Sequence, residues 1–322
     1  MNNLEKKLLN SLLKIRLVEK EISKRYSEEQ IRCPVHLSLG QEAAAVGVCS
    51  AISKEDYVFS THRCHSHYLA KGGNLKAMVS ELYGKKSGCC GGRGGSMHLM
   101  DTSVRMMMSV PIVASVIPIA VGAALSLRLK KKSNIIVVFF GDAAVEEGVF
   151  HESANFASLT NIPVLFVCEN NQYSCFTNIN DRQPSNDLTR LAKCHNIKSL
   201  RMNGNKVLDI YEKTKEIVTL IKKTQRPFFL QLDTFRFIEH CGPNNDDLLN
   251  YRDKKEIDKW SKRDPILLFK NHLKKKKVFD QKIFNEFERK LNLKINKAFA
   301  YALKEDFPEI SSINNHVYAK NE

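Results

Sequence analysis

A membrane-length apolar run is missing from the 322-residue chain. The best candidate, residues 106–127, is interrupted by Ser109, Pro111, Ser115 and Pro118, whereas a spanning helix needs about 20 consecutive apolar residues. The N-terminus also lacks an apolar run followed by a small-residue cleavage site, and it carries Glu5, Glu19 and Glu21. We therefore expect no signal or transit peptide, and a soluble, cytoplasmic protein.

Cysteine spacing of the disulfide or zinc type is missing as well. The nine cysteines are odd in number and scattered, so we expect reduced thiols in a chain of this size. Cys89 and Cys90, with His98 nearby, lack the two-residue gap of zinc knuckles. We interpret them as part of a packed glycine loop.

Acidic residues are in deficit, with 35 Asp and Glu against 50 Lys and Arg and a formal charge of +15. This surplus implies affinity for anions but does not choose among phosphates, nucleic acid and acidic proteins. We interpret the lysine runs at 130–132 and 274–277 as solvated surface. With 43% hydrophobic residues, 15 Gly and 9 Pro, the chain is neither collagen-like nor disordered, and it is long enough for an extensive core.

Helices are predicted by apolar periodicity and by alanine-rich composition. The expected helices cover residues 4–26, 40–52, the second part of 112–129, and 279–299, where apolar residues recur every four positions. Glycines crowd residues 84–95, which predicts a loop with unusual backbone angles.

The middle of the chain alternates between strand and helix. Residues 135–140 and 164–168 are continuous β-prone runs that enclose a helical stretch at 147–160, and 228–232 is another such run. Runs of this kind are typical of strands buried on both faces. Strand, helix and strand in this order predict a right-handed crossover with parallel strands, hence an α/β fold.

Polar residues follow two of these strands directly. Asp142 and Asn171 are expected at the same carboxyl edge of the sheet, where open α/β sheets bind ligands. Their oxygens suit magnesium, and the start of the following helix suits a diphosphate. Alternatively, Asp142 is a helix cap in a tight turn and Asn171 belongs to another turn. Spacing alone does not decide between the two.

Longer motifs carry a family resemblance. GDAAVEEGVFHESANFASLTNIPVLFVCENNQY, at 141–173, resembles the thiamine-diphosphate signature that runs from Gly-Asp-Gly to Asn-Asn. The accompanying motifs are GQEAAAVG at 40–47, THRCHSHYLAKGG at 61–73, GGRGGSMHLM at 91–100, VIPIAVGAA at 116–124, DTFRFIEHCGPNNDD at 233–247 and RDPI at 263–266. In this order they are similar to the alpha subunit of the first component of 2-oxo acid and acetoin dehydrogenase complexes.

The resemblance implies a fold and a division of the chain. The fold is α/β, a parallel sheet flanked by helices that binds thiamine diphosphate, with helical extensions at both ends. Residues 1–32 form an N-terminal helical arm, residues 33–235 form the thiamine-diphosphate-binding domain, and residues 236–322 form an active-site loop with a C-terminal helical extension.

Site residues are implied by the same resemblance. Asp142, the Asn171 side chain and the backbone carbonyl of Tyr173 would hold magnesium. Arg63 and Arg236 would contact the diphosphate, since a guanidinium makes paired, charge-assisted hydrogen bonds. The histidines expected to face the cofactor or the substrate entrance, with catalytic roles, are His65 and His240. The remaining expected cofactor contacts are His62, Val113, Gly141, Ala143 and Ala144.

Three positions depart from the family pattern. Ala143 replaces a usual glycine, which would cost about 1–2 kcal/mol if that position requires a positive φ. His62 replaces a usual tyrosine. Cys241 stands where kinase-regulated complexes have a serine phosphate acceptor, so we expect no phosphorylation switch there, and the local sequence looks closer to acetoin-type subunits.

A catalytic partner is implied because the family's essential glutamate comes from a beta subunit with the pyrimidine-binding domain. We expect an alpha2-beta2 assembly that decarboxylates a 2-oxo acid or cleaves acetoin and passes the acyl unit to a lipoyl acyltransferase component. One alternative is a two-chain transketolase-like or carboligating enzyme. Another is a non-catalytic partner or basic nucleic-acid binder, which would show a steep salt dependence.

Overall fold

The computed structural model describes residues 1–315 and residue 317. The end of the predicted C-terminal extension lies outside the described residues. The strands are β1 Tyr57–Thr61, β2 Met106–Val110, β3 Ile136–Gly141, β4 Val164–Asn170, β5 Tyr173–Ser174, β6 Thr177–Asn178, β7 Lys198–Asn203 and β8 Phe228–Asp233. The helices are α1 Asn3–Arg25, α2 Glu42–Ala51, α3 His65–Lys71, α4 Leu75–Leu82, α5 Val116–Leu129, α6 Gly148–Thr160, α7 Thr189–Cys194, α8 Val207–Thr224, α9 Lys254–Ser261, α10 Pro265–Lys275 and α11 Gln281–Lys304.

A six-stranded sheet forms the centre of the fold, in the order β2-β1-β3-β4-β8-β7. Every neighbouring pair in it is parallel, and β5 and β6 form a separate antiparallel pair. The predicted α/β class and the parallel pairing of β3 with β4 are confirmed. Among the helices of the described residues, none has both the length and the apolar character that a bilayer crossing requires.

The central strands are buried on both faces because their side chains alternate between two apolar cores. In β3, Val137 and Phe139 join the core with α1, α2, α4, α8 and α11. Ile136, Val138 and Phe140 join the core with α5 and α6 on the other face. This alternation explains why the sequence of β3 is a continuous apolar run rather than an alternating one.

The predicted N-terminal helix is confirmed as α1, which begins with a capping box between Asn2 and Glu5. Leu8, Leu12 and Ile15 on α1 are fully buried, and the helix packs against α11, α2 and α3. The first segment of the chain therefore contributes directly to the main apolar core.

Some elements differ from the sequence-based expectation. Strands β1, β2 and β7 were not predicted; β7 lies at the sheet edge with none of its residues fully buried, so it lacks a buried-strand pattern. The chain after β3 does not enter an α-helix at once. Asp142–Glu146 forms a 3-10 turn, and α6 starts only at Gly148. The amide groups nearest Asp142 therefore belong to this turn.

Candidate functional site

A cleft lies at the carboxyl edge of the six-stranded sheet, where the loops that follow several strands meet. Gly141 at the end of β3 pairs with Glu169 near the end of β4. Asp142 and Asn171 therefore leave neighbouring parallel strands at the same edge, and both line the cleft. Arg63 follows β1 and Val113 follows β2, and both line the same cleft.

Most of the residues predicted for the site line this one cleft. They are His62, Arg63, Val113, Gly141, Asp142, Ala143, Ala144, Asn171, Tyr173 and His240. Arg236 and His65 do not line it. The lining residues that sequence reasoning missed are His36, Gln41, Thr61, Met97, Pro111, Ala114, Glu169, Ser174 and Cys175.

Oxygen atoms that could bind a metal ion lie at Asp142 and Asn171. The Asp142 residue is only 2% exposed. Its Oδ2 accepts a hydrogen bond from the Arg182 guanidinium. Burial raises the pKa of the Asp142 carboxyl, and the contact with Arg182 opposes that rise. Asn171 Oδ1 accepts a hydrogen bond from the backbone N–H of Tyr173 at 3.1 Å. A carboxylate and an amide oxygen at one rim suit a hard divalent cation.

Arg63 supplies buried positive charge to the cleft. Its guanidinium donates to the backbone carbonyls of Leu37, at 2.7 Å, and of His240, at 3.0 Å. Among the described residues, no carboxylate lies within ion-pair distance of it. Burial and then the neighbouring Arg236 lower the pKa of Arg63 to about 10. A buried guanidinium without a carboxylate is suited to a bound anion.

Arg236, expected to contact the diphosphate, is not among the residues that line the cleft. It is 1% exposed and lies behind the cleft, where it donates to the carbonyls of Ile238, at 2.7 Å, and Cys175, at 2.8 Å, and to the Tyr251 hydroxyl. Its Nε is buried without a hydrogen-bond partner among the described residues, and the contact with a diphosphate stays a prediction. Arg236 joins the loop after β8 to the hairpin of β5 and β6 and adds positive charge near Arg63.

His65 is also placed differently from the expectation that it faces the cofactor. It is the first residue of α3 and is fully buried. Its Nδ1 lies 3.3 Å from the Glu19 carboxylate of α1, and its Nε2 lies 2.8 Å from the Ser96 hydroxyl. Because both ring nitrogens have partners in the protein, His65 connects α3, α1 and the glycine loop.

Three other histidines gather at the cleft. The ring centroids of His36, His62 and His240 lie 4.7 to 5.5 Å apart. Burial and the Arg63 charge lower the pKa of His36 to about 2, and those of His62 and His240 to about 3. All three are thus neutral near pH 7. His36 Nδ1 is buried without a hydrogen-bond partner among the described residues.

His36 lines the cleft but was not predicted from the sequence. It lies four residues before Gly40, at the start of the GQEAAAVG motif. The structure brings it to the cleft through a parallel bridge between His36 and Gly242, next to His240. A contact between positions this far apart in sequence is not visible from local pattern.

Glu169 adds a carboxylate to the cleft wall. Its Oε2 lies 3.2 Å from His67 Nε2, and His67 Nδ1 lies 2.7 Å from the Ser60 hydroxyl. Within the described chain, Glu169 Oε1 and both polar atoms of the Gln41 amide are buried without hydrogen-bond partners. These atoms and His36 Nδ1 give the cleft a set of polar groups able to accept a polar ligand.

The glycine loop is organised around one carboxylate instead. Glu81, 1% exposed, accepts hydrogen bonds from the backbone N–H groups of Cys90, Gly92, Gly94 and Gly95 at 2.7 to 3.1 Å. Cys89 and Cys90 lie beside Glu81, whereas the His98 ring contacts the Gly94 carbonyl. Cys89 and Cys90 thus belong to a packed loop, as expected from their spacing.

The backbone at Ala143 is unstrained. Ala143 lies in the 3-10 turn, and its φ is not positive, so the penalty considered for replacing glycine does not arise. Left-handed backbone occurs elsewhere in the cleft, at Ala114 with φ +63° and Cys175 with φ +49°. Such conformations cost roughly 1–2 kcal/mol each for residues with a side chain.

Comparisons with known proteins agree with these observations. Residues 11–311 match the model of the dehydrogenase E1 component family. The chain is 32% identical to the alpha subunit of acetoin:2,6-dichlorophenolindophenol oxidoreductase from Bacillus subtilis, over 98% of this chain and 93% of that protein. It is 32% identical to the chloroplastic pyruvate dehydrogenase E1 component subunit alpha-3 of Arabidopsis thaliana, over 88% and 67%. It is 28% identical to the pyruvate dehydrogenase E1 component subunit alpha of Rickettsia bellii, over 97% and 95%.

Proposed function

The chain belongs to the dehydrogenase E1 component family, and from this we propose that it is the alpha subunit of a thiamine-diphosphate-dependent dehydrogenase. The reaction is the oxidative decarboxylation of a 2-oxo acid or the cleavage of acetoin, with transfer of the acyl unit to a lipoyl carrier. One observation carries the proposal. Asp142 and Asn171, from neighbouring parallel strands, line the same cleft as the buried Arg63.

The chemistry of the cleft fits a magnesium ion and a diphosphate. The Asp142 carboxylate, the Asn171 amide oxygen and the Tyr173 backbone carbonyl would hold the ion, because magnesium prefers oxygen ligands. The Arg63 guanidinium has no carboxylate within ion-pair distance in the described chain and would bind the diphosphate. Charge balance supports this arrangement, since the anion offsets the buried cation.

Thiamine diphosphate, when bound, supplies a carbon nucleophile and an electron sink. The residues of this chain bind it, orient it and provide hydrogen bonds around the substrate. His36 and His240 remain neutral near pH 7 because burial lowers their pKa values to about 2 and about 3. A neutral imidazole can donate one hydrogen bond and accept another. We therefore assign these two histidines to the substrate side of the cleft.

A beta subunit is part of this proposal. The relatives are named as alpha subunits, and the acidic group needed beside the aminopyrimidine would come from the partner. Apolar side chains are exposed beside the cleft, with Ile112 69% and Val113 46% accessible and Ile119 of α5 44% accessible. A beta subunit that covers these residues would close the site, and we propose an alpha2-beta2 assembly.

The test is to co-express the chain with a beta subunit that carries the pyrimidine-binding domain, taken from the same organism. Thiamine diphosphate binding is then titrated with and without Mg²⁺, and turnover of pyruvate, branched-chain 2-oxo acids and acetoin is measured with an artificial electron acceptor. We expect Mg²⁺-dependent binding and turnover of one substrate class. The chain alone serves as the control. Turnover by the chain alone at the rate of the pair, or no cofactor binding by the pair, would overturn the proposal.

A further inference from the structure

Arg182 makes close contact with the candidate metal ligand. It follows the 3-10 turn Ile179–Asp181 in the loop after β6. Its Nη2 donates to Asp142 Oδ2 and its Nη1 donates to Glu146 Oε1. The Arg182 side chain is 11% exposed and that of Asp142 is 2% exposed. The guanidinium therefore joins this loop to the turn that follows β3.

The position of this contact relative to the cleft is informative. Asp142 lines the cleft, but Arg182 and Glu146 do not. Arg182 thus reaches Asp142 Oδ2 from outside the lining of the cleft, and among the described residues no other side chain donates a hydrogen bond to the Asp142 carboxylate. The Glu146 carboxylate offsets the charge of Arg182, so that the guanidinium adds little repulsion toward a second cation.

We propose that Arg182 is a positioning residue that fixes the Asp142 carboxylate in the orientation required for binding a divalent cation. The proposal rests on the proposed function. Carboxylates that bind metals are commonly oriented by hydrogen bonds from outside the ligand set, and losing such a contact typically costs about 10–100-fold in metal affinity. The planar fork of the arginine engages Asp142 and Glu146 through two different nitrogens, a fixed geometry that the single nitrogen of a lysine does not reproduce.

The experiment measures metal affinity in the assembly of the chain with its beta subunit. Mn²⁺ replaces Mg²⁺ so that free ion is read by electron paramagnetic resonance at fixed thiamine diphosphate. We expect Arg182→Ala to weaken Mn²⁺ binding about 10-fold or more. The Mn²⁺ affinity of Arg182→Lys should lie between those of Arg182→Ala and the wild type, because lysine keeps the positive charge but lacks the planar fork. Arg201→Ala is the control, since it breaks a more exposed Arg–Asp pair with Asp233, which lies two strands away at the same edge of the sheet.

Each result has a definite meaning. Unchanged Mn²⁺ affinity in Arg182→Ala, even with a lower melting temperature, would overturn the proposal, because Arg182 would then be only structural. Tighter binding would also overturn it, since Arg182 would be a competitor of the metal. If Arg182→Ala does not fold, Arg182→Lys and Glu146→Gln give the same test, with weaker binding expected in both. A wild-type assembly that binds no cofactor would instead overturn the proposed function itself, and this proposal with it.

Discussion

The glycine loop around Glu81 and the cleft around Asp142 are both rich in buried polar atoms, but these atoms have different partners. The Glu81 carboxylate accepts four backbone N–H groups. In the cleft, His36 Nδ1, Glu169 Oε1 and the Gln41 amide have no hydrogen-bond partner among the described residues. Since an unsatisfied buried polar group is costly, the unpartnered atoms of the cleft wall are groups that a bound ligand would satisfy, whereas the Glu81 carboxylate is already satisfied by the loop.

The same contrast distinguishes His65, which was expected in the site, from His36, which was not predicted. Both nitrogens of His65 contact protein groups, so its environment is like that of Glu81. His36 has an unsatisfied nitrogen and lines the cleft. Free hydrogen-bonding capacity together with a place in the cleft wall therefore distinguishes His36 from His65.

The largest effect is expected from Asp142→Asn in the cleft. An amide keeps the shape of the side chain but loses the negative charge that holds the cation, so we expect Mg²⁺-dependent thiamine diphosphate binding to weaken about 1,000-fold, or about 4 kcal/mol. Isothermal titration calorimetry on the assembled subunits measures this change. The melting temperature serves as the control for folding. Binding within tenfold of the wild type would contradict the assignment of Asp142 as a metal ligand.

Glu81→Gln tests the other side of the comparison. The amide cannot accept all four N–H groups, and we expect a loss of about 3 kcal/mol in the free energy of unfolding, with cofactor affinity of the folded protein nearly unchanged. Chemical denaturation and calorimetry measure the two quantities. Glu55→Gln, at an exposed side chain, is the control. If Glu81→Gln abolished cofactor binding without destabilising the fold, the glycine loop would have to be reassigned to the site.

The paired variants His36→Ala and His65→Ala sharpen the comparison further. We expect His36→Ala to lower kcat/KM about 100-fold, as for a lost proton-transfer or hydrogen-bonding group, with little change in melting temperature. His65→Ala should lower the melting temperature and leave the turnover of the folded enzyme close to normal. Steady-state kinetics and thermal unfolding give both readouts. The opposite pattern would restore His65 to the site.

Much of the fold, and the meeting of Asp142 and Asn171 at one edge of the sheet, could be predicted because the signals are local. The apolar runs of β3 and β4 and the polar residues that end them indicate parallel strands with Asp142 and Asn171 at one edge. His36 could not be found in this way, because its place depends on the bridge to Gly242. Arg236 lies in a matched motif, but its side-chain direction is set by Tyr251 and two backbone carbonyls.

The smallest expected effect concerns the pH dependence of stability. Burial, followed by the Arg63 charge, lowers the pKa of His62 from its usual 6.5 to about 3, so between these values the unfolded chain binds a proton that the folded cleft excludes. Stability contributed by neutral His62 is therefore present above pH 6.5 and declines as the pH falls, by about 1 kcal/mol at pH 5.5. His62→Tyr should remove this part of the decline in pH-dependent denaturation, whereas His98→Gln, at an exposed side chain, should not. If the free energy of unfolding of His62→Tyr declined with pH as steeply as that of the wild type, His62 would be charged and solvated at pH 5.5. The cleft around it would then not be desolvated.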